Sequence, residues 1–383
     1  MTIINAKIYT MNDTDTIIEN GYITVENGKI TAVGEGTPHN VQAADCFDAQ
    51  GMTVYPGFID AHTHLGLTTS GVGIEGEDLN EEFDPVTPQL RIIDGINPMD
   101  YSFAMARKAG VTSVFISPGS TNPIAGEIYA VKTSGIRIDK MIIKSVGMKF
   151  SMGENPKLTY MDKEQSPCTR MAVASIIREN LFKAKRYMED TQRAEDDEDM
   201  PDFDIKSEAL IPLLKREIKA HFHCHKANDI FTAVRIAKEF ELDYTLVHCT
   251  DGHLIADELT EEKCSAIVGP VICDRCKPEM ASLSPANAAV MTKHGIDTAI
   301  CTDHSEVPIE YLPISVGICI KNGLSFYDGL KAVTKIPAQI GGISDRVGSI
   351  ERGRDGDMVL FKQNPFEVMS SPEKVMINGE FVW

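Results

Sequence analysis

The sequence predicts an α/β protein in which a (β/α)8 TIM-like barrel is joined to a small β-sandwich domain built from both termini. Strand-like and helix-like segments alternate through the middle of the chain, whereas both ends contain short strand-like runs. The 383 residues are enough for a barrel of about 250 residues and an accessory domain. We expect the β-sandwich to comprise residues 1–53 and 348–383, and the barrel residues 54–347.

Both ends of the chain carry hairpin signals. The run "GYITVENGKITAVG" has Asn27-Gly28 between two β-branched stretches, and "KVMINGEFVW" at the other end has Asn378-Gly379. Asn-Gly favours two-residue hairpin turns. Because the ends predict β-structure and the middle does not, one domain split between the termini is the simplest arrangement.

The middle of the chain repeats a strand–helix pattern at a spacing of about 25 to 40 residues, which favours a parallel barrel. The helix-like "NDIFTAVRIAKEFE" shows the pattern clearly, since it separates two apolar strands. The predicted strands include "GVTSVFISPG", "MIIKSVGMKF", "EIKAHFHCH", "DYTLVHCT", "CSAIVGPVI" and "IDTAICTD".

Charge, apolar runs and cysteine content predict which kinds of partner the protein has and where in the cell it lies. The chain has 37 Lys and Arg against 56 Asp and Glu, a net charge of −19, so we expect no nucleic-acid partner. No run approaches the roughly 20 apolar residues of a membrane span, and "MTIINAKIYTMNDTD" lacks the pattern of an export signal. Nine scattered cysteines predict reduced thiols and a cytoplasmic location.

Polar side chains follow several of the apolar strands. His62 and His64 in "FIDAHTHLG" are two residues apart, so a strand would present both on one face, roughly 6–7 Å apart. Four further candidates end later strands: Lys149, His223, His248 and Asp303. In a barrel all of these would meet at the C-terminal rim, where such folds keep their active sites. Histidines with a carboxylate suit zinc or a similar divalent ion.

Several stretches resemble the amidohydrolase superfamily, closest in pattern to its imidazolonepropionase-like and Xaa-Arg-dipeptidase-like branches. They cover nearly the whole chain: "VYPGFIDAHTHLG", "AGVTSVFISPGS", "GMKFSMGENPK", "AHFHCHKANDIFTAVRIA", "TLVHCTDG", "ICTDH" and "GSIERGRDGDMVLF" running into "VMINGEFVW". The last two match the family's habit of closing a small β-sandwich with both termini.

The resemblance implies a metal centre of one or two divalent ions, most simply zinc. His62, His64 and Asp303 would hold the first ion, and His223 and His248 a second. Lys149 resembles a lysine that becomes a carboxylated bridge between two ions.

Two alternatives to this bridge stay open: a structural or substrate-binding Lys149 beside a single ion, or a bridging carboxylate from Glu154. His221, His223 and His225 alternate along one predicted strand. The resemblance to the related branches favours His223 as the metal ligand. His225 would then face substrate, and His221 would be packed deeper in the strand. His39 and His294 are predicted to be surface residues.

Asp303 is expected to act both as a ligand and as the general base for metal-activated water. A substrate-binding role is predicted for His225, for His304 beside Asp303, and for Arg275, Lys277 and Glu279 in "CDRCKPE", a run similar to one in the related branch. Cys273 and Cys276 in the same run form a CxxC, but without a second CxxC we expect no structural zinc there.

The predicted function is metal-dependent hydrolysis of an amide or cyclic-amide C–N bond in a small molecule. The substrate could be a dipeptide, an N-acyl amino acid, a hydantoin-like ring or an imidazolone. A deaminase of the same superfamily is the first alternative, although the Glu expected three residues after the strand-five histidine is replaced by Lys226, or by Asn228 if counted from His225. A catalytically silent scaffold is the second. The resemblance permits a homo-oligomer without selecting one.

Overall fold

The computed structural model describes residues 1–38, 45–69, 71 and 73–383, so the prediction for His39 lies outside the described residues. The strands follow one another in the order β1 (Thr2–Tyr9), β2 (Ile17–Glu26), β3 (Lys29–Glu35), β4 (Cys46–Asp48), β5 (Thr53–Pro56), β6 (Phe58–Thr63), β7 (Val111–Ile116), β8 (Ile124–Lys132), β9 (Ile142–Ser151), β10 (Lys219–Cys224), β11 (Tyr244–His248), β12 (Ser265–Val268), β13 (Asp297–Ile300), β14 (Met358–Phe361), β15 (Lys374–Ile377) and β16 (Glu380–Phe381).

One sheet draws its strands from both ends of the chain. Its order is β16-β15-β14-β5-β1-β2-β3, with β4 paired to β1. The two ends meet where β14 runs antiparallel to β5, with Val359 opposite Tyr55. The expected strand-rich unit built from both termini is therefore present, while its limits at residues 53 and 348 stay a prediction.

Both predicted hairpins are confirmed. Asn27 and Gly28 join β2 to β3 with φ values of 51° and 78°, and Asn378 and Gly379 join β15 to β16 with 50° and 79°. A two-residue turn with two positive φ angles needs residues that tolerate this region, and Asn-Gly meets the requirement.

The second sheet is a nearly closed barrel with the order β13-β12-β11-β10-β9-β8-β7-β6. Its strands are parallel except β8, which runs antiparallel to both β7 and β9. The barrel fold class is confirmed, but the expectation of an all-parallel sheet was wrong for β8. Residues 117–123 and 133–141 connect β8 to its neighbours and are shorter than the dozen or so residues of a parallel crossover.

Helices fill most of the longer connections: α1 (Tyr101–Lys108), α2 (Glu154–Met161), α3 (Arg170–Arg193), α4 (Ile205–Leu214), α5 (Ala227–Glu239), α6 (Ala256–Glu262), α7 (Asn287–Lys293), α8 (Leu312–Lys321), α9 (Phe326–Ala332) and α10 (Lys335–Ile340). Oxygen-bearing side chains cap several of them, as when Asp100 accepts the Ser102 N–H of α1 and Thr169 the Ala172 N–H of α3. Among the described residues, no helix combines the length and apolarity needed to cross a membrane.

An apolar cluster fills the inside of the barrel. Seven strands each contribute to it, through Ile59, Phe115, Ile128, Val146, Val247, Ile267 and Ala299. Ile336 and Ile340 of α10 belong to the same cluster, so α10 closes one end of the barrel. The remaining strand, β10, instead brings His221 and His223, both buried. Polar side chains are thereby concentrated at the opposite end.

A buried ion-pair network joins the barrel to the segment before β14. Lys132 of β8 is 3% exposed, forms an ion pair of 2.9 Å with Asp355, and also contacts Asp357. Arg346 and Lys29 bind the same Asp355 at 2.8 Å and 2.5 Å. Burial alone would raise the pKa of Asp355, but these cations hold it at about 2.

Candidate metal centre

The candidate residues converge at the C-terminal rim of the barrel. The sheet register places His221 opposite Lys149, and the rings of His223 and His248, on adjacent strands, have centroids 4.5 Å apart, so neighbouring strands present these side chains together. Asp303 follows β13 and is tied to β6 by its own N–H, which donates to the His62 carbonyl at 3.1 Å. The rim predicted from the sequence therefore has the geometry of a single site.

Two overlapping groups of side chains are arranged to hold metal ions. His62, His248 and Asp303 form one, and His223, His225 and His248 form the other, with the ligand atoms of each group within 4.8 Å of one another. All five residues are buried. His248 belongs to both groups, so the two positions are adjacent.

Asp303 lies at the centre of the first group. Its Oδ1 is 3.4 Å from His62 Nε2 and 3.3 Å from His64 Nε2, so His64 is part of the same cluster. Both Asp303 and His248 have positive φ, at 55° and 69°. This backbone region is uncommon for non-glycine residues and is concentrated at functional sites.

Three of the histidines are oriented by a hydrogen bond at Nδ1. His64 pairs with the Ser117 carbonyl at 2.7 Å, His248 with the Gly269 carbonyl at 2.8 Å, and His225 with Thr250 Oγ1 at 2.7 Å. Donation from Nδ1–H to the two carbonyls leaves Nε2 as the ring atom available to a metal. Metal-binding histidines in proteins are usually held in this way.

Several buried atoms of the site have no hydrogen-bond partner among the described residues. They are the Nδ1 atoms of His62 and His223 and Oδ1 of Asp303. An unsatisfied buried polar atom costs about 1–3 kcal/mol. Buried imidazole and carboxylate side chains whose electron-pair donors lack hydrogen bonds fit a divalent cation, and this donor set suits zinc.

The electrostatic environment keeps these groups in their ligating forms. Burial lowers the pKa of His62, His223 and His225 well below the usual range, and that of His248 to about 4, so the rings are neutral at pH 7. Burial alone would raise the pKa of Asp303, but the neighbouring His248, His64 and Lys149 hold it at about 2. Neutral imidazoles and an ionised carboxylate are the forms that bind metals.

Lys149 is completely buried, and its Nζ lies 3.3 Å from His62 Nε2. Burial lowers its pKa to about 8. In the described part of the chain no carboxylate lies within ion-pair distance of it. Glu154, the alternative bridge, belongs to neither ligand group; its backbone N–H instead donates to Glu279 at 3.1 Å.

Asp60, a fully buried carboxylate in β6, is not among the residues predicted from the sequence. It accepts hydrogen bonds from Thr302 Oγ1 at 2.6 Å, the Thr302 N–H at 3.1 Å and the His62 N–H at 3.2 Å. Burial raises its pKa to about 7. Asp60 thus fastens the segment carrying Asp303 to the strand carrying His62. The signal was a lone acid inside the apolar run "GFIDAH".

A cavity of about 210 Å³ opens onto the ligand groups. Its wall includes His64, Asn80, Ser120, Asn155, His223, His225, His248, Cys273, Cys276, Lys277, Asp303 and Glu306. A larger groove of about 560 Å³ lies between α3 and α5, but it contains none of the candidate ligands. The smaller cavity is therefore the one that opens onto the candidate ligands.

Only some of the predicted substrate-binding residues line the cavity. Lys277 and His225 line the cavity, and the buried Glu279 has Oε1 3.6 Å from His225 Nε2. Arg275 is exposed outside the cavity wall, where its guanidinium binds the Leu283 carbonyl at 2.9 Å. The His304 imidazole lies behind the wall and accepts the Ile309 N–H at 3.2 Å. His221 is buried with both ring nitrogens unpartnered and belongs to neither ligand group.

Comparison with known proteins identifies similar chains. A crystal structure of an amidohydrolase from Thermotoga maritima MSB8 matches with a TM-score of 0.95 and 37% identity, covering 100% of this chain and 99% of that one. The amidohydrolase tasK of Hapsidospora irregularis is 28% identical over 94% of this chain, which spans 39% of the relative's length.

A 5-methylthioadenosine/S-adenosylhomocysteine deaminase of Bacillus thuringiensis is 40% identical over 74 residues, 19% of this chain and 17% of that protein. The pattern of the amidohydrolase family matches residues 53–382, nearly all of the barrel and the C-terminal strands. The chain therefore belongs to the amidohydrolase family.

Proposed function

We propose that this protein hydrolyses an amide or cyclic-amide C–N bond of a small substrate, with Asp303 as the general base. The proposed ligands of a centre of one or two divalent ions, most simply zinc, are His62, His64, Lys149, His223, His248 and Asp303. The observation that carries the proposal is the pair of overlapping ligand groups, which share the buried His248, next to a cavity lined by His223, His248 and Asp303.

A divalent ion bound by these residues would polarise the scissile carbonyl and lower the pKa of water. Asp303, with a pKa of about 2, is ionised at neutral pH and accepts a proton from the attacking water. Its Oδ1 has no hydrogen-bond partner in the described residues, so it is available for this transfer. The protonated carboxyl then supplies the proton that the leaving nitrogen needs.

Lys277 is the proposed contact for an anionic group of the substrate. Its Nζ donates to Asn155 Oδ1 at 3.3 Å, and no described carboxylate lies within ion-pair distance. An ammonium group in a cavity without an acidic partner is available to a substrate carboxylate. This favours N-acyl amino acids, dipeptides and ring compounds that carry a carboxylate, with His225 and Glu279 beside them.

Deamination is the second candidate, because Glu279 places a buried acid 3.6 Å from His225 Nε2 although no Glu stands at 226 or 228. The test is a screen of the protein, reconstituted with zinc or manganese, against N-acyl amino acids, dipeptides, hydantoins and aminopurines. Release of an amino acid or ring opening supports hydrolysis, whereas ammonia from the aminopurines supports deamination. Failure to bind either metal would contradict both.

A further inference from the structure

We propose that Cys273 and Cys276 are a redox-sensitive pair whose conversion to a disulfide reshapes the rim of the site cavity. Both thiols line the cavity that holds His248 and Asp303. The proposal does not depend on the identity of the substrate, since it concerns a modification of the cavity wall.

The other cysteines are placed differently. Five of the nine are buried away from this wall: Cys224, Cys249, Cys264, Cys301 and Cys319. Cys168 is exposed but lies outside the cavity. Cys273 is half-buried and Cys276 exposed, so an oxidant that enters the cavity reaches both thiols.

The two cysteines lie three positions apart in one irregular loop. Residues 273–277 belong to no helix or strand. The Cys276 thiol is near enough to contribute to the raised pKa of Cys273, after burial. Apart from their mutual interaction, each thiol makes a weak contact within the described residues: Cys273 Sγ with the Asp274 carbonyl at 3.3 Å, and Cys276 Sγ with Met280 Sδ at 3.9 Å. Thiols are weak hydrogen-bond donors, so neither contact is a strong restraint on its sulfur.

The loop also positions the predicted substrate contacts. Lys277 follows Cys276 directly and donates to Asn155, and Glu279 accepts the Glu154 N–H two residues later. A covalent bond between residues 273 and 276 would shorten this loop and displace the Lys277 ammonium. A displacement of about 1 Å at a positioned group can cost a hundredfold in rate.

The oxidant that we consider is a peroxide. The thiolate of Cys276, the more exposed cysteine, attacks one peroxide oxygen, the O–O bond breaks, and the departing oxygen leaves as water after taking up a proton. Cys273 then attacks the sulfenic sulfur, the S–S bond forms, and the S–O bond breaks to release a second water. The two thiols give up two electrons and two protons, and the peroxide is reduced.

The test uses the full chain loaded with zinc and treated with hydrogen peroxide. Mass spectrometry should find the peptide containing both cysteines about 2 Da lighter, and dithiothreitol should restore it. The rate at which a chelator strips the zinc measures access to the cavity without any substrate. We expect oxidation to change that rate about tenfold and reduction to reverse the change.

Three variants decide the outcome, each compared with its own untreated sample. Cys273→Ser and Cys276→Ser should abolish both the mass change and the change in chelation rate, whereas Cys168→Ser should respond like the wild type. The proposal is overturned if both thiols survive oxidation. It is equally overturned if the pair is oxidised without a change in rate, or if Cys273→Ser responds fully. Since none of these readouts measures hydrolysis, failure here leaves the proposed function standing.

Discussion

The ammonium nitrogen of Lys149 lies 3.3 Å from Nε2 of His62, although neither side chain contacts solvent appreciably. Two nitrogens at this distance in a buried site are compatible only if at least one is uncharged, and burial lowers the pKa of both groups. A neutral lysine amine can react with carbon dioxide to form a carbamate, and its anionic oxygens can then bridge two ions.

The Lys149→Ala variant tests this bridge. If Lys149 is carboxylated, we expect elemental analysis to find about two metal ions per wild-type chain and one or fewer per variant chain. Lys144→Ala, which removes an exposed lysine from the same strand, is the matched control and should keep the wild-type count. A single ion in both wild type and Lys149→Ala would leave Lys149 a structural or substrate-binding role.

Asp303→Asn removes the proposed base while keeping the size of the side chain. We expect kcat/KM to fall by about 10²–10⁴, because proton transfer by a positioned carboxylate contributes that much. Glu306→Gln changes another, exposed carboxylate of the same cavity wall and should stay close to the wild type. Kinetics at matched metal content would separate the loss of the base from the loss of a ligand. Comparable losses in both variants would count against Asp303.

Lys277→Gln tests substrate recognition. A hydrogen bond to a charged group contributes about 1.5–3 kcal/mol, so KM for a substrate with a free carboxylate should rise roughly tenfold to a hundredfold. The same substrate with its carboxylate amidated should bind wild type and variant alike. Metal content should not change, since Lys277 belongs to neither ligand group. If KM rises equally for the carboxylate and the amidated substrate in Lys277→Gln, Lys277 does not contact the substrate carboxylate.

The metal-free protein should lose stability as the pH falls below about 6.5. Buried His62, His221, His223 and His225 have folded-state pKa values below the ordinary value, so the unfolded chain takes up protons that the folded chain does not. Each such histidine lowers the free energy of unfolding by about 1.4 kcal/mol for every pH unit below 6.5, until the pH reaches its folded-state pKa. For His248 that limit is about 4.

Asp60 has the opposite effect: its pKa is raised to about 7, so the folded chain takes up its proton before the unfolded chain does and gains stability as the pH falls. This one carboxyl does not outweigh the several histidines. Thermal unfolding of metal-free samples between pH 7.5 and pH 5 measures the effect. His221→Phe removes one buried imidazole outside both ligand groups and should make the slope shallower. A slope that does not differ between His221→Phe and the wild type would refute the assignment of His221 as buried and neutral.

Lys132→Met should destabilise the fold by about 3–5 kcal/mol, because it leaves Asp357 buried without its cation. Asp355 would keep its ion pairs with Arg346 and Lys29, so most of the lost stability should come from the unpaired Asp357. Lys362→Met is the control: its ion pair with Glu373 is exposed, and such pairs contribute about 0–1 kcal/mol. Urea unfolding of both variants gives the comparison, and equal stabilities would show that the buried network contributes little.

The sequence by itself determined the family, the barrel, the hairpins at Asn27-Gly28 and Asn378-Gly379, and the strand ends on which most candidate ligands lie. These features depend on local patterns: turn chemistry, apolar runs, and a polar residue at the point where each run stops. His62 and His64 could be paired from their spacing alone, because alternation in a strand fixes the face of each side chain.

Only the tertiary structure decided which side chains face the cavity. His225 joins His223 and His248, whereas Arg275, from the same run as Lys277, turns outward to the Leu283 carbonyl. Asp60 connects β6 to Thr302 across 242 positions of sequence, and β8 runs antiparallel because its connections are short. Contacts between strands distant in the chain depend on register and barrel closure, which no local pattern encodes.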